Sequence, residues 1–166
     1  MTDLPKDSSA PDFKLGDFQL TEMLKKGSVL LAFYKPTCPT CQFAFPYIEK
    51  IHTYYGTGAF QVIGVSQEGN PKDFSNTYHL TFPILSDTET LTVSSQYKLI
   101  YVPTFFLVAP DRKIDWVSIG FQREELKTLC EKLSKMTNKP ILETFHDPEV
   151  PKSKMGCGAK NFMEVK

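Results

Sequence analysis

The sequence predicts an α/β fold in which a central mixed sheet is flanked by helices on both faces. A strand, helix, strand pattern fills residues 28–66, where two apolar runs enclose a segment of helical length. A strand, strand, helix pattern fills residues 103–136, as an apolar hairpin followed by an amphipathic helix. Residues 67–102 separate these halves and carry an inserted segment with further helical stretches. This order brings parallel and antiparallel strands into one sheet.

The first half of the fold begins after a polar N-terminal segment. Residues 12–27 predict a short strand and a short helix, which ends at the breaker Gly27. The run 28–34, SVLLAFY, is typical of a buried parallel strand. Residues 38–56 have helical length and end at a glycine, and residues 60–66, FQVIGVS, form the next buried strand.

The inserted segment and the second half of the fold are predicted from the same kinds of pattern. Residues 70–80 predict a short helix with proline in its first turn, residues 81–87 an extended segment, and residues 89–99 another helix. Residues 103–121 predict a hairpin, and residues 122–136 the last helix. The apolar stripe of that helix consists of Leu126, Leu129, Cys130 and Leu133.

The length of 166 residues fits one domain with a sizeable core. We expect a flexible N-terminal arm at residues 1–10, the folded domain at residues 11–136, and an extended C-terminal tail at residues 137–166. The tail is interrupted repeatedly by proline, lysine and glycine.

Charge and hydropathy limit the kinds of partner that the protein can bind and the compartment in which we expect it. The 19 basic and 19 acidic residues balance, so no global field would hold nucleic acid or an anionic membrane. The longest apolar run, residues 29–34, is far too short for a membrane span. The N-terminus lacks the pattern of a secretory signal, which predicts a cytoplasmic protein, or a periplasmic one if a signal had been removed.

Two cysteines, Cys38 and Cys41, lie where the first buried strand gives way to a helix. The free N–H groups and the positive end of that helix would stabilise a thiolate at Cys38. The spacing of three residues places the side chains one turn apart, within reach of a reversible disulfide. Pro39 in the first turn would hold Cys38 at the exposed end while Cys41 turns inward. The pattern predicts that Cys38 attacks and Cys41 resolves.

Other interpretations of the cysteines are less favoured. Half of a zinc site would need a second close pair, whereas Cys130 and Cys157 stand far apart and no histidine has a ligand-like spacing. Cys130 lies on the apolar stripe of the last helix, so we predict that it is a small buried apolar side chain of the core. Cys157, between two glycines, would resolve a disulfide or sulfenate at Cys38 if the tail folded back, but we favour an unreactive thiol on a disordered tail. No metal, nucleotide or flavin cofactor is implied.

A proline directly before an apolar strand, Pro103, indicates a special backbone conformation. The CPTC motif at residues 38–41, Pro46 within the helix and the sequence Val102-Pro103-Thr104 together resemble the thioredoxin superfamily. With the inserted segment, residues 10–136 resemble the TlpA/ResA-like thiol-disulfide oxidoreductases, which are related to the AhpC/TSA redoxins. The resemblance implies a thioredoxin-like fold, a cis peptide bond before Pro103 beside the cysteines, and pairing of the Val102 backbone with substrate.

The sequence also departs from that family. Thr37 stands where many relatives have tryptophan, and Ala32 where thioredoxins have a buried acid. Glu68 falls where ResA-like relatives have an active-site glutamate, so it would manage protons for Cys41, with a solvated turn glutamate as the equal alternative. The predicted catalytic residues are Cys38, Cys41, Pro103 and Glu68, and the predicted substrate contacts are Thr37, Pro39, Thr40 and Val102.

The predicted function is thiol-disulfide exchange with protein or small thiol partners. The chain would be a monomer, reset by an upstream reductase or oxidant. A peroxiredoxin-like thiol peroxidase is one alternative, although its Pro-x-x-x-Thr/Ser-x-x-Cys motif fits neither Cys38 nor Cys41. A redox-inactive binding module of the same fold is the other, which we disfavour because such a module need not keep both cysteines.

Overall fold

The computed structural model describes residues 4–160. The α-helices are α1 (Leu20–Leu24), α2 (Pro39–Tyr55), α3 (Pro71–Tyr78), α4 (Thr92–Gln96) and α5 (Arg123–Thr137). The strands are β1 (Lys14–Leu15), β2 (Phe18–Gln19), β3 (Ser28–Tyr34), β4 (Phe60–Ser66), β5 (Ile84–Ser86), β6 (Tyr101–Val102), β7 (Thr104–Val108), β8 (Ile114–Ile119), β9 (Phe121–Gln122), β10 (Ser153–Lys154) and β11 (Cys157–Gly158). A 3-10 turn covers Glu143–His146.

A mixed sheet of five strands lies at the centre, in the order β5-β4-β3-β7-β8. Strands β3, β4 and β5 are parallel, whereas β7 runs antiparallel to both β3 and β8. Every residue of β3 is buried, which explains why its sequence is continuously apolar from Val29 to Tyr34 rather than alternating. The predicted mixed sheet with an inserted helical segment between its two halves is confirmed.

Aromatic side chains pack on both faces of this sheet because neighbouring strand residues point in opposite directions. On one face, the ring of Tyr34 packs against Phe45 of α2 and Phe74 of α3. On the other face, the ring of Phe33 packs against Tyr97, which follows α4, and against Phe106 of β7. Helices therefore cover both faces, and the strand–helix junction between β3 and α2 is held from both sides.

The N-terminal segment follows the edge of the sheet. The Asp7 N–H donates to the Ile114 carbonyl (2.8 Å), and the Ile114 N–H donates to the Ser8 carbonyl (2.9 Å). Ala10 is fully buried. The described part of the predicted arm is therefore hydrogen-bonded to the start of β8, while residues 1–3 lie outside the described residues.

The C-terminal tail returns across the domain after α5. Phe145 and Val150 are buried, β10 pairs antiparallel with β9, and β11 pairs antiparallel with β6. The tail is extended but lies on the domain over its described length, and residues 161–166 lie outside the described part. The division of the chain into arm, domain and tail stays a prediction. Within residues 4–160, no helix combines the length and apolar character needed to cross a lipid bilayer.

The hydroxyl of Tyr55 anchors the beginning of the tail. The Leu142 N–H donates to this oxygen (2.7 Å), and the hydroxyl lies 3.1 Å from the Pro140 carbonyl oxygen. A Tyr55→Phe substitution would leave a Leu142 N–H without its partner, so we expect the free energy of unfolding to fall by about 1–3 kcal/mol. Urea denaturation measures this change. Tyr54→Phe, at the neighbouring and more exposed position, is the control, and an equal loss in both variants would contradict the role of Tyr55.

Candidate active site

Cys38 is the N-cap residue of α2 and lies beyond the carboxyl end of β3. Its N–H donates to the Lys35 carbonyl (3.1 Å), and its carbonyl accepts from the Gln42 N–H (3.0 Å). The Sγ atom lies 3.6 Å from the carbonyl oxygen of Val102. The structure thus brings together two predicted site residues, Cys38 and Val102, that are 64 positions apart in the chain.

Pro103 follows Val102, and the peptide bond between them is cis. The Pro103 carbonyl accepts from the Gly120 N–H (2.8 Å), and the Thr104 hydroxyl donates to the Tyr101 carbonyl (2.7 Å). Pro103 is buried beside the sheet. The β6–β7 corner thus presents the Val102 carbonyl to the start of α2.

Cys41 is fully buried in the first turn of α2. Burial raises the pKa of its thiol to about 12. A hydrogen bond with the Lys35 backbone and the positive charge of Lys35 both act to lower this pKa, but burial has the larger effect. The negative charge of Glu68 acts to raise the same pKa. Cys41 is therefore a thiol, not a thiolate, at neutral pH.

This pKa predicts how resolution by Cys41 depends on pH. Because the pKa is raised far above neutrality, the thiolate fraction of Cys41 grows with each step in pH. Attack by Cys41 on the Cys38 sulfur of a mixed disulfide should therefore accelerate roughly tenfold per pH unit from about pH 7 to about pH 9. Rapid quenching with acid, followed by mass spectrometry, measures formation of a disulfide between Cys38 and Cys41. The Cys41→Ser variant is the blank, and a rate independent of pH would contradict the assignment.

Glu68 lies between Thr37 and the tail. The Thr37 hydroxyl donates to one carboxylate oxygen of Glu68, and the Lys160 ammonium nitrogen lies 3.9 Å from the other. The Glu68 side chain is 27% exposed, so the carboxylate is neither freely solvated nor sealed in the core. The charge of Glu68 acts on the Cys41 thiol, but its carboxylate contacts Thr37 and lies near Lys160, so the choice between a proton-managing carboxylate and a turn glutamate stays a prediction.

The residues between and before the two cysteines face the tail or solvent. Thr37 and Pro39 are exposed, and Pro39 is the first residue of α2. Thr40 is buried beneath the tail, and its hydroxyl donates to the Met155 carbonyl (2.5 Å). Of the predicted substrate contacts, Thr40 and Val102 contact the tail, whereas Thr37 and Pro39 are exposed.

Cys157 differs from our expectation of an unreactive thiol on a disordered tail, which is wrong. Cys157 forms a disulfide with Cys38, with 6.0 Å between the two Cα atoms, while Cys41 is a free thiol. The reason is the pairing of β11 with β6, which sets Cys157 opposite Val102 and so directly in front of Cys38. A cysteine between two glycines was the only sequence signal for this placement.

One further residue of this region has no sequence signal. Gln67, directly after β4, is fully buried, and its side-chain amide bonds the backbone of Lys160. Cys130, by contrast, is buried on α5 as predicted, and burial raises its pKa to about 12. Among residues 4–160, no three histidine, cysteine or acidic side chains converge in a way that would hold a metal ion.

The fold and the site define a class of protein. A cysteine at the start of the helix after the first central strand, facing a residue that precedes a cis proline, makes this chain a thiol-disulfide oxidoreductase of thioredoxin fold. The sequence profile of the AhpC/TSA family matches residues 3–117. The chain belongs to the AhpC/TSA family, which confirms the resemblance described above.

Individual relatives agree with this assignment. The thioredoxin-like protein YneN of Bacillus subtilis is 29% identical over 121 residues, which cover 67% of this chain and 69% of YneN. The thiol-disulfide oxidoreductase ResA of Halalkalibacterium halodurans is 30% identical over 118 residues, which cover 69% of this chain and 66% of ResA. The thioredoxin domain of a thiol-disulfide oxidoreductase from Bacteroides vulgatus shares the fold, with a TM-score of 0.67 and 22% identity over 78% of this chain and 97% of that domain.

Proposed function

We propose that this protein exchanges disulfides with protein substrates, with Cys38 as the attacking thiol and Cys41 as the resolving thiol. The observation that carries the proposal is the bond from Cys38 to a cysteine in an extended segment that pairs with the strand before the cis proline. That arrangement has the form of a mixed disulfide between an enzyme and a bound polypeptide. The relatives named as thiol-disulfide oxidoreductases support the same activity.

The first step is attack by the Cys38 thiolate on a substrate disulfide. Cys38 lies at the N-terminus of a helix of 17 residues, whose positive end and free N–H groups favour the thiolate. A bond forms between the Cys38 sulfur and one substrate sulfur, the substrate S–S bond breaks, and the other substrate sulfur leaves as a thiolate.

The second step releases the product. The Cys41 thiolate attacks the Cys38 sulfur, the substrate leaves with its second sulfur as a thiolate that takes up a proton, and a disulfide between Cys38 and Cys41 remains. Two electrons have then passed from the protein to the substrate, and a dithiol reductant must return them. Run in reverse with an upstream oxidant, the same steps would insert a disulfide.

The surrounding residues have distinct proposed roles. Glu68 would accept the proton of Cys41, since its charge acts on that thiol and the Thr37 hydroxyl holds the carboxylate in place. The Val102 backbone would pair with the substrate beside Pro103. Pro39 and Thr40 would contact the substrate next to its cysteine, as Thr40 contacts the tail.

The partners and the compartment belong to the same proposal. Protein disulfides or small thiols would be the substrates, and an upstream reductase or oxidant would regenerate the cysteines. The balanced charge of the sequence supports the absence of nucleic-acid and membrane partners. A monomeric protein in the cytoplasm completes the proposal.

A thiol peroxidase is the second candidate, and the disulfide between Cys38 and Cys157 is the observation that favours it. In that reaction the Cys38 thiolate would attack a hydroperoxide and become a sulfenic acid, with release of an alcohol. The Cys157 thiol would then condense with the sulfenic acid, releasing water and forming the observed disulfide. The mismatch to the peroxiredoxin motif at both Cys38 and Cys41 counts against it.

Parallel turnover assays separate these candidates. The wild-type chain is supplied with a dithiol reductant and either insulin disulfide or a hydroperoxide, and Cys130→Ser is the control because Cys130 is buried on α5 away from the site. We expect insulin reduction to exceed the uncatalysed rate and hydroperoxide reduction to stay near it. Hydroperoxide reduction alone would favour the peroxidase, and no turnover with either substrate would favour the redox-inactive module.

A further inference from the structure

The last described residues of the tail, 155–160, are held by contacts that mostly ignore their side chains. Cys157 pairs with Val102, Gly158 pairs with Tyr101, and the Ala159 N–H donates to the Ile100 carbonyl (2.8 Å). Backbone pairing of this kind is how an extended peptide adds to the exposed edge of a sheet. The segment is therefore bound as a peptide would be bound.

Gln67 extends this binding beyond the two-residue strand. Its side-chain N–H donates to the Lys160 carbonyl (2.8 Å), and its side-chain oxygen accepts from the Lys160 N–H (2.9 Å). A single amide thus satisfies both backbone polar groups of one residue, as a neighbouring strand would. Gln67 is fully buried while the tail is in place, so these two hydrogen bonds form away from solvent.

Thr40 makes the matching contact at the other end. Its hydroxyl donates to the carbonyl of Met155, two positions before Cys157, whereas Gln67 bonds the residue three positions after Cys157. Thr40, Val102 and Gln67 together line what we call the peptide groove. The groove spans six residues of an extended chain and binds them through their backbone N–H and carbonyl groups.

The two glycines beside Cys157 differ sharply in the space around them. A Cβ atom at Gly156 would lie 2.6 Å from the Val102 carbonyl oxygen, and a real Cβ atom does not come that close to a backbone oxygen. A Cβ atom at Gly158 would meet nothing within 4 Å. The groove therefore admits only glycine immediately before the cysteine and accepts side chains immediately after it.

We infer that the peptide groove is a substrate-recognition site for extended protein segments in which glycine directly precedes the reactive cysteine, and that the tail is its internal occupant. The inference rests on the proposed function, since it names the substrate class of the same thiol exchange. The groove opens when a dithiol reductant gives two electrons to the disulfide between Cys38 and Cys157, which yields two thiols and the oxidised reductant.

Synthetic peptides test this selectivity on the full-length Cys41→Ser, Cys157→Ser variant, in which Cys38 is the remaining site thiol. The tail of this variant still competes for the groove, so all peptides are supplied at the same concentration of several millimolar or more. The probe is the peptide Lys-Met-Gly-Cys-Gly-Ala-Lys, with its cysteine activated as a disulfide to an aromatic thiol whose release is coloured. We expect alanine in place of the first glycine to slow the reaction about tenfold or more, and alanine in place of the second to change it less than about twofold.

A Gln67→Ala substitution added to this variant tests the far end of the groove. Gln67 also bonds the tail that competes for the groove, so the diagnostic quantity is a ratio of rates. We expect Gln67→Ala to lower about tenfold the rate of the seven-residue peptide relative to a peptide that ends before the last lysine and so lacks the residue that Gln67 bonds. Such a dependence on peptide length would not arise from a general loss of structure. An equal effect on both peptides would overturn the role of Gln67.

A small aromatic disulfide without any peptide distinguishes a failure of the inferred substrate class from a failure of the proposed function. If Cys38 reacts with the small disulfide but shows no preference between the glycine and alanine peptides, the substrate class is wrong and the proposed function stands. If Cys38 reacts with neither the small disulfide nor any peptide, the proposed function itself fails. Preference for glycine only before the cysteine supports the inference.

Discussion

Replacing Cys38 by serine is expected to abolish disulfide exchange, with the insulin turnover rate falling about a thousandfold or more. Cys38 is the thiol at the positive end of α2, beside the Val102 carbonyl. Cys41 could not take over, because burial raises the pKa of its thiol to about 12 and leaves little thiolate at neutral pH. Turnover of insulin disulfide with a dithiol reductant measures the loss.

Two matched variants show whether the loss belongs to the chemistry. Cys130→Ser, a buried cysteine on α5, should keep the wild-type rate. A Cys41→Ser, Cys157→Ser variant, which lacks both thiols that can reach the Cys38 sulfur, should form the first bond with substrate but not release it, so the mixed disulfide accumulates and is seen as a mass increase on the protein. A Cys38→Ser protein with substantial remaining turnover would show that another thiol, such as Cys157, makes the attack.

Replacing Cys157 by serine is expected to have the largest effect on stability. The disulfide between Cys38 and Cys157 closes a loop across 119 positions, and the loss of chain entropy in an unfolded loop of that length corresponds to about 5 kcal/mol. Under oxidising conditions, the free energy of unfolding of Cys157→Ser should be lower than that of the wild type by about that amount. Guanidinium denaturation of the two proteins measures the difference.

The redox state provides the internal control for this prediction. In the presence of excess dithiol, the wild-type disulfide is opened and the two proteins should unfold within about 1 kcal/mol of each other. A Cys41→Ser, Cys157→Ser variant, which leaves Cys38 without a nearby cysteine partner, should expose the Cys38 thiol to alkylation without reductant, whereas wild-type Cys38 stays protected. Equal stability under oxidising conditions would show that the disulfide between Cys38 and Cys157 does not form in solution.

The sheet and the cysteine-bearing helix could be predicted because their signals are local. Residues 28–34 form an apolar run long enough to define a strand buried on both faces, and β3 has these bounds. The helix that starts between Cys38 and Cys41 follows from a proline at its first position and a glycine after its end. Such patterns need no knowledge of distant partners.

The path of the tail could not be predicted in the same way. Strands β10 and β11 are two residues long, too short to carry a hydrophobic period, and each pairs with a strand far away in the sequence. Gln67 is 93 positions from the backbone that it bonds. Gly156 must be glycine because of its closeness to the Val102 carbonyl oxygen, which no local sequence pattern around Gly156 indicates.

The tether between β10 and Cys157 is the feature with the widest consequence. Only two residues, Met155 and Gly156, separate Lys154 of β10 from Cys157, so the tail cannot drift far from the groove while β10 stays paired with β9. Linkers this short give effective concentrations in the millimolar range or above. Under the proposed function, we expect a free substrate at micromolar concentration to compete poorly with the attached tail. The turnover rate would then depend on how fast a reductant opens the disulfide between Cys38 and Cys157.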